Sequence, residues 1–220
     1  DGFKFDLEQY LKFGGYPGGY ELIENPKVWQ QYFQDSIIES VIGKDILLNS
    51  TVKSPALFRQ AFQIICSYPA QEISYTKLLG QLQDKGNTDL IRHYLNLYEG
   101  AYLIRTLSKY SEKKVLTKTS SPKIIPMCPA LCFDPKKQNN PEWQGHVFEA
   151  AVGSMLISKY GQVHYWRDGN EEVDFVVHDG KNLLAIEVKS GRKKSQKGLL
   201  AFEKKYKNVK TVFIGKEGLE

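Results

Sequence analysis

Cysteine is scarce in this sequence: Cys66, Cys128 and Cys132 are the three among 220 residues. An odd number in apolar surroundings argues against a disulfide framework and suits a reducing, cytoplasmic setting. Zinc is disfavoured as well, because no second pair of Cys or His follows Cys128 and Cys132 at a zinc spacing. No apolar run approaches the roughly 20 residues that a membrane helix needs. No signal-peptide pattern opens the chain, so no membrane partner is expected. Internal repeats are absent. So is any G-x-x-x-x-G-K-[ST] run, which denies this chain a Walker-type cradle for ATP phosphates. The "GGYPGG" at 14–19 has neither the required ending nor a preceding strand. The chain opens at Asp1 and reads as the C-terminal part of something longer.

What is present is the composition of an ordinary globular protein, 41% hydrophobic and 25% charged. The net charge of +5 is unevenly spread. Residues 181–220 carry a balance of +7 and the remainder −2. A basic stretch beside a group of carboxylates suits a polyanion such as nucleic acid; a solvated lysine-rich helix is the alternative.

Three regions follow from the patterning. Residues 1–53 read as a helical arm, broken at "GGYPGG" and restarted by Asn25 as N-cap with Pro26 behind it. Residues 54–117 hold three short helices, capped by Ser54, Ser74 and Asn87 or Thr88. Two strand-like runs follow, "AYLIRTLSKY" and "KKVLTKT", and together these elements give a winged-helix-like pattern. The third helix carries Arg92 as its sole Lys or Arg, a poor surface for phosphate, so packing is as good a reading as DNA contact. Residues 118–220 turn to α/β. A proline-punctuated segment with a mobile stretch around 135–141 precedes a helix starting near Gly145. Strands "QVHYWR", "EEVDFVV" and "LLAIEVKS", the helix "SQKGLLAFEKKY" and the strand "VKTVFIG" complete it. The fold class expected is α+β, a helical and winged-helix part followed by a small α/β domain.

The anomaly is ionisable residues inside apolar strands. Strands destined for a core rarely carry charge unless it is paired or has a task. Alternation puts Glu187 and Lys189 on one face of their strand, ~6.6 Å apart. Asp174, on the preceding strand of a hairpin, is expected to join them. On the helix, Val147, Ala151, Met155, Phe148, Val152 and Leu156 form an apolar arc of about 180°. Glu149 falls at its edge, able to point toward Asp174. Two carboxylates at close quarters need a counter-charge, which Lys189 or a hard cation such as Mg²⁺ supplies. A metal-bound water beside a lysine can attack a phosphodiester.

The order "FE" at 148–149, "VDF" at 173–175 and "IEVK" at 186–189 resembles the PD-(D/E)XK, restriction-endonuclease-like nuclease superfamily. That resemblance implies that Asp174 and Glu187 ligate Mg²⁺ or Mn²⁺. It also implies that Lys189 orients the attacking water and that Glu149 assists from the helix. The proline that often precedes the first strand acid is replaced by Val173. More widely, "YLKFGGYPGGY", "YFQDSIIESVIGKDI", "YLNLYEGAYLI", "GHVFEAAVGSML" and "YWRDGNEEVDFVV" resemble a C-terminal region of unassigned function in prokaryotic AAA-type ATPases. The resemblance implies an upstream ATPase domain in the same polypeptide as a partner. Members tend to carry D-x-G-L after a Pro-Lys pair. Here Cys128 and Ala130 stand in those places after Pro122-Lys123, so no acid acts at that point.

Three readings remain open. The first is a Mg²⁺-dependent nuclease with Glu149, Asp174, Glu187 and Lys189 at its centre, and with Arg192, Lys193, Lys194 and Lys197 holding phosphates. The second is a nuclease-like module that contacts nucleic acid or protein without cutting. In the third, Asp174 and Glu187 are simply ion-paired with Lys189 and Arg167. Trp166 is read as a core residue, with base stacking as the alternative.

Overall fold

The computed structural model describes residues 6–82, 87–112, 120–189 and 196–216. Helix α1 (Leu7–Phe13) opens with a capping box between Asp6 and Gln9. It stops at Gly14, whose φ of +70° turns the chain and whose missing Cβ leaves room for the Cys128 Sγ. A 3₁₀ turn (Pro17–Leu22) leads to α2 (Pro26–Tyr32), capped by Asn25 as expected. Rather than ending, this rod runs on through two π-helical stretches, Phe33–Ile38 and Ser40–Ile46. Helices α3 (Pro55–Cys66), α4 (Tyr75–Gln81) and α5 (Thr88–Gly100) follow, with the side chains of Ser54, Ser74 and Asn87 on their first-turn amides.

A mixed sheet of seven strands runs through the molecule in the order β1-β3-β2-β4-β5-β6-β7. Its strands are β1 (Gln71–Glu72), β2 (Ile104–Lys109), β3 (Lys123–Pro126), β4 (His164–Asp168), β5 (Glu171–Asp179), β6 (Asn182–Lys189) and β7 (Val209–Gly215). The first expected strand of the wing is β2. The second, at 113–119, lies outside the described residues, and β2 pairs instead with β3 on one side and β4 on the other. The expected boundary at 117/118 therefore falls between two strands of one sheet. Strands β5 and β6 form the expected hairpin, closed by Asp179 opposite Asn182 around Gly180 at φ +61°. Strands β6 and β7 are parallel, joined through α7 (Lys197–Lys205).

Helix α6 (Pro141–Tyr160) covers one face of the sheet. It begins four residues before the expected Gly145, because Asn140 accepts hydrogen bonds from the amides of Glu142 (2.9 Å) and Trp143 (3.1 Å). Pro141 then occupies the first helical position, where its missing N–H costs nothing. Its buried residues extend beyond the expected arc to Ala150, Gly153 and Ser154, while Met155 is exposed. The reason is that α6 is flanked by the sheet on one side and by α1 on another, so no single stripe describes it. Phe148 packs with Ile125, Phe175, Val177, Ile186 and Val188. On the opposite face, Leu199 and Phe202 of α7 pack with Trp166, Val173, Val176 and Ala185, which makes Trp166 a core residue. The helices α2 to α5 bury a separate cluster around Trp29, Phe58 and Tyr98. Among the described residues, no helix is long and apolar enough to cross a membrane.

Helix α7 lies directly on β5. A Cβ at Gly198 would stand 1.8 Å from the Glu172 carbonyl oxygen, which is backbone and cannot swing away. Gly198→Ala is expected to push α7 off the sheet and cost about 1–3 kcal/mol, read as a lowered urea midpoint with an unchanged slope.

Candidate functional site

The site is built by an irregularity in β5. His164 of β4 pairs with Val176 of β5, but Trp166 pairs with Val173. Two residues of β5, Asp174 and Phe175, therefore stand opposite Tyr165 alone. This is a β-bulge, a device that re-aims side chains. Val173 and Val176 both face α7, while Phe175 and Val177 face α6. The bulge turns Asp174 to the α6 side as well, where its Oδ2 accepts the Val188 N–H at 2.8 Å. The carboxylate thus continues the β5–β6 ladder beyond its last backbone pair, Phe175 with Ile186.

Facing Asp174 is a residue that sequence reasoning did not assign to the site, Lys123 at the start of β3. Its Nζ lies 2.5 Å from Glu149 Oε1 of α6 and 3.9 Å from Asp174 Oδ1. The same ammonium donates to the Asp174 carbonyl at 3.2 Å and sits 4.9 Å from the Phe175 ring centroid. Lys123, Glu149 and Asp174 are all buried. Burial alone would push the lysine pKa down. The charges of Glu149 and Asp174, the hydrogen bond from Glu149 and the more distant Glu172 outweigh it and hold the pKa above its ordinary value. The ammonium is therefore charged at neutral pH. What this ion pairing adds to stability is complete below the ordinary lysine pKa of 10.5 and is lost as pH climbs through the raised folded-state value.

The triad forms the floor of a cleft of about 450 Å³, lined also by Gln71, Glu72, Glu142, His146, Arg167 and Glu172. Arg167 clamps the rim, its Nε 2.9 Å from Glu72 Oε1 and its other arm on Glu172. The salt-bridge partners expected for the strand acids are thus exchanged: Asp174 pairs with Lys123, and Arg167 with Glu72 and Glu172.

Glu149 and Asp174 come together as expected; Glu187 and Lys189 do not join them. Strand β6 alternates regularly, with Leu184, Ile186 and Val188 toward α6 and Leu183 and Ala185 toward α7. Glu187, buried and opposite Phe213 of β7, falls on the α7 side. Lys189 follows it, its Nζ 3.8 Å above the Phe213 ring centroid. The expected convergence on one face assumed a regular β5, and the bulge removes that assumption. Arg192, Lys193 and Lys194 lie outside the described residues. Lys197 is exposed at the first turn of α7.

A divalent cation does not fit this arrangement. Glu149 and Asp174 already share an ammonium, Asp174 Oδ2 is engaged by Val188, and Glu187 lies across the strand. Among the described residues, no three His, Cys, Asp or Glu side chains are grouped as ligands. Cys66, Cys128 and Cys132 are free thiols, and burial pushes all three up in pKa, away from the thiolate. What the cleft offers is a buried cation bridging two carboxylates, with an imidazole and a guanidinium at its rim.

The fold and cleft define a mixed α/β protein whose site joins two stretches of sequence. Residues 4–132, more than half of the chain, match a family described as a domain of unknown function (DUF8612), and the chain belongs to that family. Residues 144–218 match a second domain of unknown function (DUF4143). The chain is similar to an uncharacterised protein of Methanocaldococcus jannaschii, 25% identical over 231 residues that cover 97% of this chain and 50% of that protein. It therefore spans about half the length of the curated relative it matches. No solved structure matches. Lys123 and Glu72 come from the first matched stretch, and Glu149, Arg167 and Asp174 from the second, so the cleft exists only where the two meet.

Removing the cation while leaving both acids buried is the informative change. Lys123→Met is expected to cost about 3–5 kcal/mol of stability, measured by urea denaturation at pH 7. Adding Glu149→Gln in that background should recover part of the loss, because one uncompensated buried charge is then gone.

Proposed function

We propose that this chain is the C-terminal module of a prokaryotic AAA-type ATPase, and that its α/β half is a nuclease-like unit that grips nucleic acid without cutting it. The order of elements supports the nuclease-like reading: an acid-bearing helix, three strands with the second and third carrying Asp174 and Glu187-Val188-Lys189, then a helix and a strand. The observation that carries the non-cutting part is Lys123. Its ammonium sits where a PD-(D/E)XK site would need a divalent cation, and Glu187 and Lys189 stand apart from the two acids. Hydrolysis by this site would require Lys123 to withdraw and both β6 residues to cross the strand.

Grip is assigned to the basic stretch 192–197 ahead of and into α7, a positively charged edge that suits phosphates. The helices α3 to α5 with β2 are read as a winged-helix variant used for packing. Its third helix buries Ile91, Tyr94, Leu95 and Tyr98. Its one cation, Arg92, lies 4.3 Å from the ring centroid of Tyr75.

Fluorescence anisotropy with labelled single-stranded and duplex DNA and RNA tests both parts. If Arg192, Lys193, Lys194 and Lys197 each neutralise a phosphate, affinity should fall about hundredfold between about 50 and about 200 mM salt. Replacing all four by Glu should abolish binding while leaving the fold intact by circular dichroism. Incubation with Mg²⁺ or Mn²⁺ should leave the oligonucleotides whole. Cleavage that disappears in Asp174→Ala would instead establish the nuclease reading, and absence of any salt-sensitive binding would sink the grip.

A further inference from the structure

A second cavity lies away from the carboxylate cleft, between the π-helical rod and the turn that follows β3. It has a volume of about 350 Å³, within the lower range of small-ligand sites. Its wall is aromatic. Trp29 and Phe33 stack with ring centroids 5.0 Å apart and 9° between planes, and Phe133 lies 5.0 Å from Trp29. The rod that forms one side is π-helical from Phe33 to Ile38 and again from Ser40 to Ile46. Such turns are rare, and they recur at functional sites.

Trp143, at the start of α6, lines the same cavity. Its side chain is buried, and its Nε1 donor has no hydrogen-bond partner. A buried indole N–H ordinarily finds an acceptor, so this one is a donor waiting for an acceptor that the chain itself does not supply. The charges at the cavity are already balanced. Arg59 holds Glu39 through a forked contact of 2.9 to 3.2 Å, and Asp134 faces Lys137 at 3.7 Å. An anionic ligand would find no unpaired cation there. Flat apolar walls, one unmet donor and compensated charge describe an uncharged, planar heteroaromatic molecule.

We propose that this cavity binds an uncharged planar heterocycle of nucleobase size, stacked on the Trp29–Phe33 wall and accepting the Trp143 Nε1–H through a ring nitrogen or carbonyl. The site is independent of the proposed nucleic-acid grip. It shares no residue with the carboxylate cleft and stands if that reading fails.

Benzimidazole and indole provide the test, being nearly equal in size while only benzimidazole carries a ring-nitrogen acceptor. Calorimetric titration into this chain at pH 7.5 should show benzimidazole binding about tenfold more tightly than indole, the worth of one buried hydrogen bond. In Trp143→Phe the preference should vanish, with both compounds binding at the indole level. Should that variant fold poorly, the wild type still decides the matter. Of the indole N–H resonances of its three tryptophans, one should move downfield with benzimidazole and none with indole. Equal affinity for the two compounds, no binding of either at millimolar concentration, or a preference that persists in Trp143→Phe overturns the proposal.

Discussion

A lysine ammonium taken out of water must be met by negative charge, and the architecture around Lys123 follows from that demand. Desolvating one ion costs several kcal/mol even after relaxation, so Lys123 is tolerable in β3 only with Glu149 at 2.5 Å and Asp174 near it. Each partner comes with its own structural condition. Glu149 reaches the site because α6 lies flat across the sheet, and Asp174 reaches it because β5 is bulged. Neither acid is tolerable without the cation, so the three positions stand or fall as a unit.

The unit also ties together what sequence comparison separates. The match to one family stops at residue 132 and the match to the other begins at 144. Across that gap, β2 and β3 join the same sheet as β4 to β7, and Lys123 and Glu72 project into a cleft floored by the second stretch. The two stretches meet through charge as well as through backbone pairing. Apolar packing alone is forgiving of small shifts, whereas a buried ion triad requires its members within a few tenths of an ångström to remain paired.

Much of this was legible beforehand, and what was not has a definite cause. The helix starts at Ser54, Ser74 and Asn25 were readable because capping is local chemistry. The β5–β6 hairpin was readable from "HDGKN". Glu149 and Asp174 stood out because a charge in an apolar run is an anomaly at any position. Lys123 presented the same anomaly, opening "KIIP" with a charge in an otherwise apolar strand, yet it served only as a landmark beside Pro122. Its partners lie 26 and 51 residues away, beyond the reach of any pattern in a short window. The bulge was illegible for a different reason. "EEVDFVV" carries no glycine or proline to announce it, and the extra residue is accommodated by pairing with β4 rather than by the strand itself. A shift of one residue reverses which side chains share a face, and so Glu187 and Lys189 were assigned to company they do not keep.

The π-helical rod from Phe33 to Ile46 has an implication of its own. A π turn closes its hydrogen bond one residue later than an α turn, so each such stretch holds a surplus residue relative to a regular helix. Deleting one residue there would let the rod relax toward α geometry, and everything after the deletion would rotate by about 100°. Ile42 and Ile46 would leave the core, and the side of the rod now turned toward Trp143 would be carried elsewhere. The length of this segment, counted to the single residue, is thus as much a part of the cavity's specification as the identity of the side chains that line it.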